Sequence, residues 1–184
     1  MFSYQRRLFF PVAIERKDPD AANILRESYG GKFGELSTAI QYLNHKSKMT
    51  NNYIRDLMGM IAAEELGHLE LLENVIYKLS GEHPDYLDRQ KTGWEMNHVI
   101  QTGSEVEMLE HNEESEFYAK KEYMNSIDLI QDPAVHKILF FLVNREEVHQ
   151  RLIRKAKLLL LQGGSNEKFS ALIHEYKMSI RIIE

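Results

Sequence analysis

One set of four polar residues occurs twice in this 184-residue chain at a fixed offset. Glu35, Tyr42, Glu65 and His68 are followed, each 81 residues later, by Glu116, Tyr123, Glu146 and His149. Within each set a Tyr lies two helical turns after the first Glu. A Glu-x-x-His begins thirty residues after that Glu. A Glu from each of two helices, plus a Glu-x-x-His from each of two others, is the ligand plan of a carboxylate dimetal site in a four-helix bundle. The repeat therefore constrains both fold and chemistry.

The helical period fits that plan. Asp18-Pro19 supplies an N-cap and a first-turn proline, and the spacing predicts a helix from there to about Lys46. Thr50-Asn51-Asn52 caps a second helix that runs to Leu79 and stops at Gly81. Residues 81–103 contain three glycines and Pro84 and read as a long connection. A third helix spans about Ser104 to Ile130. Asp132-Pro133 starts a fourth, which ends at Gly163-Gly164, and the remaining apolar spacing predicts a short packing helix.

Two short connections and one long one make two helical hairpins joined by a crossover, which is the ferritin-like arrangement. The ligands test this independently, because residues level with each other in a hairpin lie equally far from its turn. Glu35 and Glu65 are centred on residue 50, and Glu116 and Glu146 on residue 131; both centres fall at the predicted turns. The expected fold is an all-α, single ferritin-like domain over residues 1–184. Its helical core spans about 18–163, between an N-terminal segment 1–17 and a C-terminal packing segment 165–184.

On the second helix the apolar stripe reads Ile54, Met58, Ile61, Glu65, His68, Leu72, Ile76, Leu79. On the fourth it reads Leu139, Leu142, Glu146, His149, Ile153, Ala156, Leu160. Glu and His three residues apart share a face, so both reach one ion from a core position. Buried carboxylates without cations cost several kcal/mol or stay protonated, whereas two divalent ions match four carboxylates in charge. The metal set is Glu35, Glu65, His68, Glu116, Glu146 and His149. Tyr42 and Tyr123 are expected to hydrogen-bond the ligands. A third Glu-x-x-His, Glu95 to His98, lies in the long connection without an apolar stripe and is excluded. Glu64, Glu113, Glu114 and Glu147 flank the set and are read as solvated or as partners of the ligands. Arg145 and Lys120 are candidate nearby cations, both compatible with exposure. His45, His83, His111, His136 and His174 share no stripe and are read as ordinary polar residues. Gly30, Gly31 and Gly34 allow three readings: close helix approach, an opening above the metals, or a local helix break.

Oxygen and imidazole ligands suit manganese or iron. The chain has no cysteine, which excludes thiolate and iron–sulfur chemistry, and a net charge of −5 disfavours nucleic acid. No run of residues is long and apolar enough for a membrane span. Leu8, Phe9 and Phe10 at the start, with Ile180, Ile182 and Ile183 at the end, are candidate subunit contacts for a homo-oligomer.

The sequence also resembles the manganese catalase family, in particular its short, spore-coat-associated bacterial members. The likeness covers Tyr4 to about Leu79 and Leu109 to about Ala156. It is carried by Phe10-Pro11-Val12, Tyr29-Gly30-Gly31 with Gly34-Glu35-Leu36, Tyr42-Leu43-Asn44, Glu64-Glu65-Leu66-Gly67-His68, Asp132-Pro133 and Arg145-Glu146-Glu147-Val148-His149. The resemblance implies two manganese ions with a bridging oxygen species, and disproportionation of hydrogen peroxide to water and dioxygen. It implies Glu65 as a bridge, Glu116 as a bridge or cap, and Glu35, His68 and His149 as terminal ligands. Glu146 would move protons beside the metals. The connection at 80–103 is shorter than in typical members, and their long C-terminal extension is absent. The expected location is the cytoplasm or a spore coat. Two rival readings share the ligand set: a rubrerythrin-like diiron peroxidase or ferroxidase, which without cysteine needs a separate electron donor, and a structural coat component that keeps the metals for stability.

Overall fold

Six helices account for the fold in the computed structural model, which describes residues 10–181, of Arg181 the backbone only. They are α1 (Pro19–Gly30), α2 (Glu35–Lys48), α3 (Asn52–Ser80), α4 (Glu105–Leu129), α5 (Pro133–Leu161) and α6 (Asn166–Arg181). The polar signals sit at the helix ends. Asn51 Oδ1 accepts from the N–H groups of Tyr53 and Ile54, Asp132 Oδ1 from Ala134 and Val135, and Ser104 Oγ from Glu107. Gly81 ends α3 in the left-handed conformation, at φ +87, where a side chain is strained.

The expected single first helix is two. The chain leaves α1 at Gly30 and re-enters helix at Glu35, with Gly31 extended. Of the three readings of the glycines, the local break holds. The break folds tightly on α1, since a Cβ on Gly34 would lie 2.8 Å from the Glu27 carbonyl oxygen, and the crossover approaches it at Gly30, where a Cβ would lie 2.8 Å from the Leu87 carbonyl oxygen. What comes close is a loop rather than a helix. Ser37 Oγ, in the first turn of α2, donates to the Gly31 carbonyl at 2.7 Å and receives Trp94 Nε1 from the crossover at 2.9 Å.

α2 with α3 and α4 with α5 form the two hairpins, and α6 packs on α3 and α5. Two apolar clusters fill the bundle. One gathers Leu25, Leu72, Ile76, Leu79, Leu139 and Leu142; the other gathers Ile54, Met58, Ile61, Leu109, Ile153 and Tyr176. On α3 the second cluster stops at Ala62 and the first begins at Leu71, and on α5 they part between Leu142 and Leu152. A polar layer lies in that gap. Both predicted stripes are buried except at Leu160, which is half-buried.

His45 is not an ordinary surface residue. It is fully buried, its Nδ1 lies 2.9 Å from Asn112 Oδ1, and its Nε2 lies 2.7 Å from the Ile100 carbonyl. Gln41 works beside it, accepting the Ile100 N–H at 3.1 Å and donating to Ser115 Oγ at 2.9 Å. Together they fasten the end of the crossover to α2 and α4. Burial lowers the His45 pKa despite these bonds.

Phe10 stacks on Phe141 at 5.2 Å, and Ile180 packs against the second cluster. Both pack within the chain itself. Leu8, Phe9, Ile182 and Ile183 lie outside the described residues. Among the described residues no helix is long and apolar enough to cross a membrane.

Candidate metal centre

Four helices bring the repeated residues into the polar layer: α2 carries Glu35 and Tyr42, α3 Glu65 and His68, α4 Glu116 and Tyr123, and α5 Glu146 and His149. All eight are buried, with at most 3 % of any side chain exposed. Glu35 is the first residue of α2, so the glycine break sets where its carboxylate enters the layer.

Among the described residues two groups have potential ligand atoms within 4.8 Å of one another. One is Glu35, Glu65, His68 and Glu146; the other is Glu65, Glu116, Glu146 and His149. Glu65 and Glu146 belong to both, and each turns one oxygen to each side. Glu65 Oε2 and Glu146 Oε1 lie 3.4 and 3.3 Å from His68 Nδ1. Glu65 Oε1 and Glu146 Oε2 lie 2.7 and 3.8 Å from His149 Nδ1. Glu35 Oε2 is 3.5 Å from His68 Nδ1, and Glu116 Oε2 is 3.8 Å from His149 Nδ1. The two imidazoles lie nearly parallel, 5.9 Å apart.

The tyrosines pair across the repeat. Tyr42 donates to Glu116 Oε1 and Tyr123 to Glu35 Oε1, so each serves the carboxylate of the other set. The second oxygen of each carboxylate is left facing the layer. Burial, followed by the neighbouring Glu116 or Glu35 charge, holds both phenols well above their usual pKa, so they stay donors.

The layer fits metal ions. Both oxygens of Glu65 and of Glu146, Glu116 Oε2, and the Nδ1 atoms of His68 and His149 are buried without a hydrogen-bond partner. Buried polar atoms are rarely left so, and these converge with the oxygen and imidazole character suited to manganese or iron.

Flanking residues separate into two kinds. Glu64 is buried and accepts from His149 Nε2 at 3.0 Å, Arg145 Nε at 2.5 Å and Tyr176 Oη at 2.8 Å. Arg145, compatible with exposure on sequence grounds, is buried with it, and Lys120 is half-buried. Glu113 pairs with Arg154 and Lys157, and Glu114 and Glu147 are exposed. Sequence reasoning missed Tyr176 and the burial of Arg145. For Arg145 a signal existed, because it stands 81 residues after Glu64 at the equivalent position. For Tyr176 the repeat holds none. His98 is apart from the layer, in a short turn at Met96–His98, with its ring edge-on to Trp94.

Burial, then the Glu65 charge, pushes the Glu35 and Glu116 carboxyls well above the usual range. Burial acts the same way on Glu65 and Glu146, but the neighbouring imidazoles, with Glu35 beside Glu65 and Glu116 beside Glu146, outweigh it and lower both. Burial would lower His68 and His149, yet the surrounding carboxylates hold both well above their usual value. A divalent ion needs its carboxylate and imidazole ligands deprotonated, and these upward shifts oppose that, so loading the layer should release protons. Affinity for manganese or zinc should fall as pH falls, because acid favours the form that must be stripped. Calorimetry in buffers of different ionisation enthalpy reads the released protons; an affinity constant between about pH 6 and 8 would contradict this charge assignment.

Comparison with known proteins gives a consistent result. The model of a family described as manganese containing catalase matches residues 1–93 and 80–167. A probable manganese catalase of Clostridium acetobutylicum is 31% identical over 191 residues, which cover 92% of this chain and 85% of that protein. Protein CotJC of Bacillus subtilis is 28% identical over 91% of this chain and 99% of its own length. The crystal structure of KatB, a manganese catalase from Anabaena, superposes with a TM-score of 0.81 at 30% identity, over 89% of this chain and 81% of that one.

Proposed function

The chain belongs to the manganese-containing catalase family, and on that footing we propose that its buried layer holds two manganese ions and disproportionates hydrogen peroxide to water and dioxygen. The observation that carries this reading is the sharing of Glu65 and Glu146 between two overlapping ligand groups. A pair of ions held by common carboxylates acts as one two-electron unit. Two manganese ions held by these residues would supply the two-electron redox couple that peroxide disproportionation needs.

Glu35 and His68 would hold one ion and Glu116 and His149 the other, with Glu65 available to both. Glu146 stands in the same relation to both imidazoles as Glu65, and we assign it as a shared ligand that also moves protons. Oxidising one peroxide releases two protons, and reducing another consumes two. A carboxylate kept ionised at rest is suited to carry them. Tyr42 and Tyr123 keep the outer carboxylates oriented through their hydroxyls. The bundle excludes bulk water from the layer, since Phe141 covers His68 edge-on and Phe10 covers Phe141.

Oxygen evolution by protein reconstituted with manganese, and separately with iron, tests the activity. The manganese form should evolve oxygen from peroxide without an electron donor. No oxygen from either form would overturn the reading. Peroxide consumption by the iron form alone, dependent on added reductant, would move the chain to a diiron peroxidase.

We also propose one domain over residues 1–184, with a helical core at about 18–163, and a homo-oligomer. Exposed apolar side chains on two bundle helices, Phe117 and Phe140, are available for subunit packing, and gel filtration reads the assembly. Placement in the cytoplasm or a spore coat follows the resemblance to short coat-associated members. The alignment with Protein CotJC along nearly its full length supports it.

A further inference from the structure

The duplication is inexact beside the ligands. Glu64 and Arg145 occupy equivalent positions, each directly before a ligand Glu, yet one is a carboxylate and the other a guanidinium. In a symmetric bundle each imidazole would have a carboxylate of its own. Here both imidazoles look to Glu64, and they are served unequally. His149 Nε2 donates to Glu64 Oε2 at 3.0 Å. His68 Nε2 lies 3.7 Å from Glu64 Oε1, beyond hydrogen-bond reach, and is buried without a partner.

Glu64 is itself locked in place. Arg145 grips it through Nε at 2.5 Å and Nη2 at 3.2 Å. Tyr176 of α6 reaches in with its hydroxyl 2.8 Å from Glu64 Oε2, closer than to the Met60 carbonyl at 3.0 Å. The guanidinium is held in turn by the carbonyl and hydroxyl of Ser179, at 3.3 and 3.2 Å. The C-terminal helix thus extends the support of one imidazole and not the other.

We propose that Glu64 is a positioning residue for His149, and that it makes the two metal positions unequal, the one at Glu116 and His149 binding its ion more tightly. A carboxylate accepting the outer N–H of a ligand imidazole fixes the tautomer, aims the inner nitrogen at the ion and raises its basicity. His149 has that arrangement and His68 lacks it. The proposal rests on the dimetal reading above, which assigns both imidazoles as ligands.

Zinc and manganese(II) titrations followed by calorimetry separate the two positions. The wild-type chain should take two ions in two steps of unequal affinity. His68→Ala leaves the Glu116 and His149 position, and adding Glu64→Gln there should weaken the remaining ion roughly 10–100-fold. His149→Ala leaves the other position, and adding Glu64→Gln there should leave the affinity unchanged. Tyr176→Phe removes only a hydroxyl and covers the case in which Glu64→Gln disturbs folding. It should weaken binding in the His68→Ala background and not in the His149→Ala background. Manganese(II) spectra of the single-ion forms give a readout independent of turnover. Equal losses in the two backgrounds, or no loss in either, would overturn the proposal. A wild-type chain that binds no metal would overturn the dimetal reading itself.

Discussion

His149→Ala is expected to keep one bound ion, the more weakly held, where the wild-type chain holds two, and to lose oxygen evolution. Each imidazole belongs to a different ligand group, His68 with Glu35 and His149 with Glu116, while Glu65 and Glu146 are common to both. Removing one imidazole therefore strips one position of its only nitrogen and leaves the other group intact. The loss of turnover should be out of proportion to the loss of metal, because a single ion cannot exchange two electrons with peroxide as the pair does. His98→Ala is the control. It removes the histidine of the third Glu-x-x-His, which lies in the crossover turn, and should leave both ions and the activity in place. Metal per chain after dialysis, measured beside oxygen evolution, reads both effects. A His149→Ala protein with two ions, together with a His98→Ala protein with one, would place the metal on the crossover.

The ligands were legible because duplication wrote them twice, and because a core stripe that tolerates Glu and His needs a charge to compensate them. Helix ends were legible at Asn51, Gly81, Ser104 and Asp132, where the capping chemistry is local to a few residues. Long-range contacts were not. Leu87 of the crossover lies against Gly30, just before the break at residues 31–34, and nothing in the apolar spacing on either side reports that approach. The burial of His45 has the same origin, since the crossover folds over it at Ile100. The repeat showed that each Tyr accompanies a Glu, but the pairing proved crossed, Tyr42 with Glu116 and Tyr123 with Glu35. Residues two helical turns apart share a face but not a contact, and only the assembled bundle decides the partner of each. Glu64 and Arg145 lie one residue outside the ligand stripe, where an isolated helix pair would meet water. They are buried because α6 covers them, and α6 lies outside the repeated unit.

That burial sets the second large effect, on stability. Arg145→Met should cost the metal-free protein roughly 3–5 kcal/mol, the loss typical when one partner of a buried ion pair is removed. At about 2–4 °C per kcal/mol for a chain of this size, the melting temperature should fall by roughly 6–20 °C. The cost arises from Glu64, left charged in the core with fewer donors, and from the released carbonyl and hydroxyl of Ser179. Arg145→Lys, of similar length to Met but charged, should therefore be less damaging than Arg145→Met, since it keeps a cation beside Glu64. The pH dependence has a definite sign. Burial alone would raise the Glu64 pKa, but His149 and His68 draw it well below the usual carboxylate value. Its stabilisation is complete above the unfolded-state pKa of about 4.3 and is lost as pH falls through the lower folded value. Without the guanidinium, the folded Glu64 protonates at a higher pH. The gap between wild type and Arg145→Met should then narrow on acidification, as the stranded carboxylate is neutralised. Thermal melts of the metal-free proteins, followed by helical circular dichroism from about pH 7 downward, read both effects. If Arg145→Lys melts no higher than Arg145→Met, or the gap widens in acid, the penalty lies in lost packing of the long Arg145 side chain and not in the charge of Glu64.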